Sequence, residues 1–196
     1  MFAQNLTHPR PPRKRERCGQ AYPAQAGNTK NDMFIIDFDD TLFDTHVLKN
    51  ILTKKSPDDL LEAELKELLY PDAPSFLQYL KNIKQKLILL SLGDFSFQSK
   101  KINAAGIASF FDEIIITADA KESALEKFLE QFNEEEDVWF VNDKIEETKK
   151  ILQHFPKIKP LLKKSPRFTH EEYCSSQLPC FETLIQIQKY VEQQIK

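Results

Sequence analysis

Four short apolar runs, each closing on a polar or acidic residue, constrain this chain more than any other feature. They are MFIID from Met33, KLILLS at Lys86–Ser91, EIIIT at Glu113–Thr117 and DVWFVND at Asp137–Asp143. Apolar runs of this length without an inside–outside alternation are what strands buried on both faces look like. The intervals between them carry helical spacing instead. Ser56-Pro57-Asp58-Asp59 offers a serine cap, a proline at the first helical position and acids in the first turn. Leu60, Leu61, Leu65, Leu68 and Leu69 follow, and Pro71 stops that helix; Phe76, Leu77 and Leu80 mark the next. Further helices are expected around 95–105, closed by Gly106, over Ala124, Leu125, Phe128, Leu129 and Phe132, and over 145–153. Leu184, Ile185, Ile187, Val191 and Ile195 suggest a last one, and Ile158–Leu162 a fifth short strand. Strands alternating with helices imply parallel pairing through crossover connections, hence an α/β fold with a doubly wound parallel sheet. Such sheets bind ligands at the carboxyl ends of their strands.

Composition excludes several alternatives. With 196 residues, 41% hydrophobic and 29% charged, the chain has enough material for one domain with a core. A net charge of -3 argues against nucleic-acid binding by the whole chain, which usually needs a strongly basic field. The cysteines Cys18, Cys174 and Cys180 are odd in number, widely spaced and free of any CxxC. That speaks against a disulfide scaffold or zinc ribbon and fits a reducing cytoplasm. No apolar run approaches the roughly 18 residues that span a bilayer, and no apolar stretch follows the basic N-terminal residues, so neither membrane insertion nor a secretory signal is expected.

Residues 1–32 stand apart, with four prolines and six basic residues against two acids. Their sparse apolar residues cannot offset chain entropy, so the segment reads as a disordered tail, with the domain occupying 33–196. PPRKRER within it reads as a solvated patch, with contact to a nucleic-acid backbone as the alternative. Residues 163–180 are polar and irregular, an extra loop near the strand ends.

The informative polar residues fall where the strands stop. The first run leads into Asp37-Phe38-Asp39-Asp40-Thr41, the second ends in Ser91, and the fourth ends in Asn142-Asp143 with Glu146 and Glu147 just beyond; Lys121 follows the third. Carboxylates gathered at one sheet edge repel each other unless a cation offsets them. Hard oxygen ligands favour Mg²⁺, which shares its shell with water and phosphate oxygens. One carboxylate can then attack phosphorus, and a second can protonate the leaving oxygen and later activate water. Taken singly, each residue has a plainer reading. A strand-ending serine is usually a cap, Lys121 a surface residue, and Glu146 and Glu147 first-turn acids favoured by the helix dipole. His46 reads as a surface histidine or a substrate contact, and Trp139 as core.

In combination these segments resemble the haloacid dehalogenase-like (HAD) hydrolases over roughly residues 33–155. FIIDFDDTLFD is similar to that family's first motif, an apolar strand leading into D-x-D-x-T. KLILLS is similar to the second, Lys121 in TADAKESAL to the third, and VWFVNDKIEE to the fourth; GIASFFDEII resembles the stretch before the third. The resemblance implies a Rossmann-like core with a small helical cap at about 45–70. It implies Asp37 as nucleophile and Asp39 as general acid and base. Mg²⁺ would be held by Asp37, the Asp39 carbonyl and Asp143, with Glu147 near the metal. Thr41, Ser91 and Lys121 would bind the transferring phosphoryl group, with Lys100 and Lys101 as alternatives to Lys121. Dehalogenase members lack the second aspartate, so Asp39 implies a phosphatase acting on a phosphomonoester, most simply a small molecule. The fourth motif departs from the common pattern in Asn142 before the acid and in Glu147, with Glu146 adjacent; Lys121 lacks the usual following proline. The competing expectations are a catalytically weak binding or regulatory module and a nucleic-acid end-processing phosphatase.

Overall fold

A computed structural model of the chain describes residues 32–130 and 137–195. The N-terminal segment expected to be disordered lies outside the described residues, apart from Asp32. Six strands form one sheet: β1 (Met33–Asp37), β2 (Lys86–Leu92), β3 (Glu113–Thr117), β4 (Val138–Asn142), β5 (Lys159–Lys163) and β6 (Cys180–Phe181). Every pairing is parallel and the order is β3-β2-β1-β4-β5-β6. Among the described residues eight α-helices accompany it: α1 (Thr45–Leu52), α2 (Glu62–Lys66), α3 (Ala73–Asn82), α4 (Phe95–Ala104), α5 (Lys121–Leu129), α6 (Ile145–His154), α7 (His170–Ser175) and α8 (Leu184–Gln194). Among the described residues no helix is long and apolar enough to cross a membrane.

The two-residue period of β1 divides the core. Phe34 and Ile36 join the larger apolar cluster with Leu48 of α1, Leu65 of α2, Phe76 and Leu80 of α3, Ile102 of α4, and Leu184 and Val191 of α8. Met33 and Ile35 join the other, with Leu125 and Phe128 of α5 and Ile151 of α6. Both faces of β1 are therefore covered, as its unbroken apolar run requires. Trp139 stacks on Phe34 at 5.8 Å between ring centroids, a core contact that matches its sequence reading. Gly106 has φ +71, the left-handed conformation that glycine adopts without steric cost just past a helix end.

The chain leaves β1 for β2 and β3 on one side, then returns to β4, β5 and β6 on the other. The reversal falls between β1 and β4. A crevice opens at the carboxyl ends of the strands at such a switch point. Register brings the key residues together there: Ile36 pairs with Val141, so Asp37 lies level with Asn142 and just short of Asp143.

Two segments differ from the sequence expectation. The single helix expected after Ser56 is a 3₁₀ turn at Pro57–Asp59 followed by α2. Leu60 and Leu61 are extended between them, and Glu64 accepts the Leu61 N–H at 3.0 Å to start the helix anew. The break lets Leu60 and Leu65 reach the core while Leu61 stays 63% exposed. Backbone bonds from Asp44 to Leu68 (2.7 Å) and from Tyr70 to Leu42 (2.8 Å) tie this insertion back to the end of β1. Residues 163–180 hold α7, capped reciprocally by Thr169 and Glu172, and lead into β6, which pairs with β5. A two-residue strand leaves no apolar run to read. Cys180 within it is a free, buried thiol.

Candidate active site

The chain turns sharply as β1 ends. The carbonyl of Phe38 accepts the N–H groups of Leu42 (2.9 Å) and Phe43 (3.1 Å), and Asp40 donates to Phe43 at 2.7 Å. Phe38 and Phe43 stack at 4.9 Å beneath this loop. Asp40 sits at φ +61, where a side chain costs up to about 1–2 kcal/mol and aspartate is among the residues that tolerate it. The turn sends the carboxylates of Asp37 and Asp39 to different partners.

Asp37 is buried. Its Oδ1 accepts from Lys121 Nζ at 2.6 Å and its Oδ2 from Thr41 Oγ1 at 3.3 Å. Lys121 opens α5 and also donates to Glu147 Oε1 at 2.7 Å. Asn142 Nδ2 reaches the same Glu147 oxygen at 3.0 Å and Thr148 Oγ1 at 3.1 Å. Burial works to lower Lys121, but the two carboxylates outweigh it and hold the ammonium protonated. Burial pushes Asp37 up, beyond what a lysine shared with Glu147 pulls back. Burial likewise works to raise Glu147, but the charges of Lys121 and Lys144 hold it low.

Asp39 occupies a second pocket, against α4 and α1. Lys101 Nζ reaches Oδ1 at 2.5 Å, Gln98 Nε2 reaches Oδ2 at 2.8 Å, and Thr45 Oγ1 donates to Oδ1 at 2.8 Å. The Lys101 ammonium is buried among the rings of Phe38, Phe97 and Phe43 at 5.3, 5.4 and 5.5 Å. Burial works to raise Asp39, but the Lys101 charge and the three hydrogen bonds prevail and hold it below the usual carboxylate value.

Asp143 follows β4 and is fully buried. Its Oδ2 accepts from Ser165 Oγ at 3.0 Å and lies 3.5 Å from Arg167 Nε. Burial, then the carboxylates of Asp37 and Asp40, push it up to about 7. Ser91, at the end of β2, is also fully buried. Buried polar atoms are normally paired. Among the described residues the buried side-chain atoms without a hydrogen-bond partner are Asp40 Oδ1, Ser91 Oγ, Gln98 Oε1, Asn142 Oδ1, Asp143 Oδ1 and, elsewhere, Gln85 Oε1. All but the last belong to this strand-end region, which points to ligand chemistry rather than to a packing defect.

Among the described residues no three histidine, cysteine or acidic side chains converge closely enough to hold a metal by themselves. A set of two carboxylates completed by a backbone carbonyl remains. Asp37 and Asp143 are both buried, the Asp37 charge helps to raise Asp143, and Asp143 Oδ1 has no partner among the described residues. That suits Mg²⁺, which takes one or two carboxylates and fills its octahedron with water and phosphate oxygens.

The structure separates the remaining sequence candidates. Lys121, not Lys100 or Lys101, lies against Asp37; Lys101 serves Asp39, and Lys100 donates to the Pro57 carbonyl at 2.9 Å. Glu147 is drawn to Lys121, whereas Glu146 pairs with Lys149 at 3.1 Å on the surface. His46 is exposed on α1. Sequence reasoning missed Asp40, Gln98, Thr45, Ser165, Arg167 and Lys163. Lys163, buried on β5, lies 3.6 Å from the Tyr70 ring centroid. Only Asp40 carried a signal, as the residue that must turn the chain inside the first motif.

A family model described as haloacid dehalogenase-like hydrolase matches residues 49–149, a span that holds Ser91, Lys121, Asp143 and Glu147 and begins after Asp37–Thr41. Solved structures share the fold at low identity. A protein from Burkholderia xenovorans LB400 described as a haloacid dehalogenase-like hydrolase is 18% identical, with TM-score 0.65 over 85% of this chain and 100% of that one. A haloacid dehalogenase-like family protein from Streptococcus pneumoniae is 16% identical, with TM-score 0.65 over 82% and 98%. A Bacillus subtilis protein described as a HAD-hydrolase, solved bound to magnesium, is 12% identical, with TM-score 0.57 over 82% and 98%. No curated protein sequence matches.

Proposed function

Since the chain belongs to the haloacid dehalogenase-like hydrolases, we propose that it is a Mg²⁺-dependent phosphomonoesterase that works through a phosphorylated Asp37. The observation that carries the reading is the pair of separately held carboxylates, Asp37 on Lys121 and Asp39 on Lys101. A dehalogenase needs only the first; a phosphatase also needs a group that moves a proton to the leaving oxygen.

Asp37 attacks phosphorus as the ester P–O bond breaks, and the leaving oxygen takes a proton from Asp39. Water then attacks the aspartyl phosphate, Asp39 takes its proton, and inorganic phosphate leaves with Asp37 restored. The contact with Lys101 favours the carboxylate form of Asp39, the form that the second half-reaction uses, so the first half-reaction draws on its protonated minority. Lys121 and the unpartnered Ser91 hydroxyl bind the phosphoryl oxygens and offset their charge, with Thr41 orienting Asp37. Asp37, Asp143 and the Asp39 carbonyl hold Mg²⁺, with Glu147 near it. Bound there, Mg²⁺ supplies charge neutralisation and alignment for the phosphoryl group. The insertion holding α1 and α2 acts as a small lid, and the substrate is most simply a small-molecule phosphomonoester.

The test is phosphate release from p-nitrophenyl phosphate. Activity should require Mg²⁺, vanish in chelator and fall more than about 10³-fold in Asp37→Asn. Undiminished turnover by Asp37→Asn would overturn the reading.

A further inference from the structure

The loop between β5 and α7 converges on Asp143 from outside the four sequence motifs. Ser165 Oγ donates to Asp143 Oδ2 at 3.0 Å. Arg167 Nε lies 3.5 Å from the same oxygen, and Arg167 Nη2 donates to Asp40 Oδ2 at 2.9 Å. Tyr173, fully buried on α7, donates its hydroxyl to the Asp143 backbone carbonyl at 2.9 Å and accepts the Ser165 N–H at 3.0 Å. One aspartate is thus gripped at its carbonyl and at one carboxylate oxygen by three residues of one short segment. The other oxygen, Oδ1, is buried and has no hydrogen-bond partner among the described residues.

We propose that Ser165 and Arg167 are positioning residues for the divalent-cation site, fixing the rotation of the Asp143 carboxylate so that Oδ1 is presented to the metal. This rests on the metal reading above and adds the residues that make Asp143 a competent ligand. The geometry assigns a distinct part to each contact. Ser165 is itself held by Tyr173, so its hydroxyl is a fixed donor. Arg167 spans two carboxylates, which locks the turn after β1 to the loop after β5. Asp40 keeps its strained backbone and a buried carboxylate at the one place where that carboxylate anchors Arg167. Groups that orient metal-bound carboxylates are typically worth about 10- to 100-fold in metal affinity.

A positive side chain beside a cation site admits the opposite expectation, which makes the test decisive. If Arg167 were only a neighbouring charge, removing it would relieve repulsion and tighten metal binding. If it positions Asp143, removing it weakens binding despite that relief. The experiment uses the full chain and Mn²⁺ as probe: free Mn²⁺ is read by electron paramagnetic resonance, with Mg²⁺ as competitor and no substrate present. The wild type should bind one Mn²⁺ that Mg²⁺ displaces. Ser165→Ala and Arg167→Met should each weaken binding about 10- to 100-fold. Arg167→Lys keeps the charge but cannot span both carboxylates, so it should lose most of the same affinity, and Ser165→Thr should restore it. Should an alanine or methionine variant fail to fold, the lysine and threonine variants carry the comparison. Binding unchanged within about twofold, or tighter, in Arg167→Met and Ser165→Ala would overturn the proposal. Absence of Mn²⁺ binding by the wild type would instead overturn the metal reading on which it rests.

Discussion

Asp37 and Asp39 are two residues apart in sequence, yet they sit in pockets with opposite character. Asp37 lies at the carboxyl end of the interior strand β1, fully buried, and shares one ammonium with Glu147, so burial prevails and its carboxyl is pushed up. Asp39 is partly exposed and has a lysine to itself, with Gln98 and Thr45 also donating, so its carboxyl is pulled down. The lesson is that the count of donors per carboxylate, not burial alone, decides the direction. Two chemically identical side chains two residues apart thus acquire opposite shifts in proton affinity from their different partners.

The largest effect that can break this comparison is on turnover. Asp37→Asn should abolish activity on an aryl phosphate, more than about 10³-fold, whereas Asp39→Asn should slow it by about 10²-fold as a lost proton-transfer group. Equal losses measured in kcat would mean that the two pockets do not divide the chemistry.

Next comes stability without metal. Lys121→Met leaves the buried Asp37 carboxylate without its ammonium and Glu147 with Lys144 alone, and should cost about 3–5 kcal/mol in urea denaturation in the presence of chelator. Lys101→Met strands one carboxylate whose side chain retains 18% exposure, so its cost should be clearly smaller. A larger loss in Lys101→Met would reverse the ranking of the pockets.

A third carboxylate, away from both pockets, calibrates the scale. Asp112 accepts the Leu87 N–H at 2.8 Å and Lys81 Nζ at 2.9 Å near the start of β3. Burial works to raise it, but these partners hold it below its ordinary 3.8. A carboxyl depressed in the folded state stabilises above its unfolded value, and that contribution is lost as pH falls through the folded one. The side chain is 42% exposed, so Asp112→Asn should cost less than about 1 kcal/mol at pH 7. The gap from wild type should close on acidification below about pH 4. A gap that does not narrow at all as pH falls below about 4 would show that the carboxylate charge is not its source.

Much of the fold was legible because buried strands write themselves as unbroken apolar runs. Four of the six strands fall on such runs, although β3 lies at the sheet's edge and is partly exposed, and β5 runs Lys159–Lys163 where the sequence suggests Ile158–Leu162. β6 left no trace, since two residues have no periodicity. α2 was misjoined to its preceding turn because leucine spacing cannot reveal that Leu60 and Leu61 are extended. In the candidate site, Asp37, Asp39, Ser91, Lys121 and Asp143 stand at run ends or just beyond them, so their place in the sequence is legible. Lys101 stood out only as an alternative to Lys121, not as the partner of Asp39, and Gln98 and Arg167 are not separable from surface residues, because their sequence neighbourhoods are those of ordinary helix and loop positions.

DFDDT was the clearest functional signal in the chain. The sequence by itself determined that its carboxylates lie at a strand end and that further polar residues close the neighbouring strands. It did so because strand burial and strand termination are local properties, encoded within a few residues. Only the tertiary structure decided which lysine meets which carboxylate, and that residues from Ser165 to Tyr173 close around Asp143. Those contacts join positions 62 to 127 residues apart for Asp39–Lys101, Asp37–Lys121 and Asp40–Arg167. They follow from sheet order, since β5 lies beside β4 and brings its loop to the Asp143 edge, a relation that no spacing along the chain records.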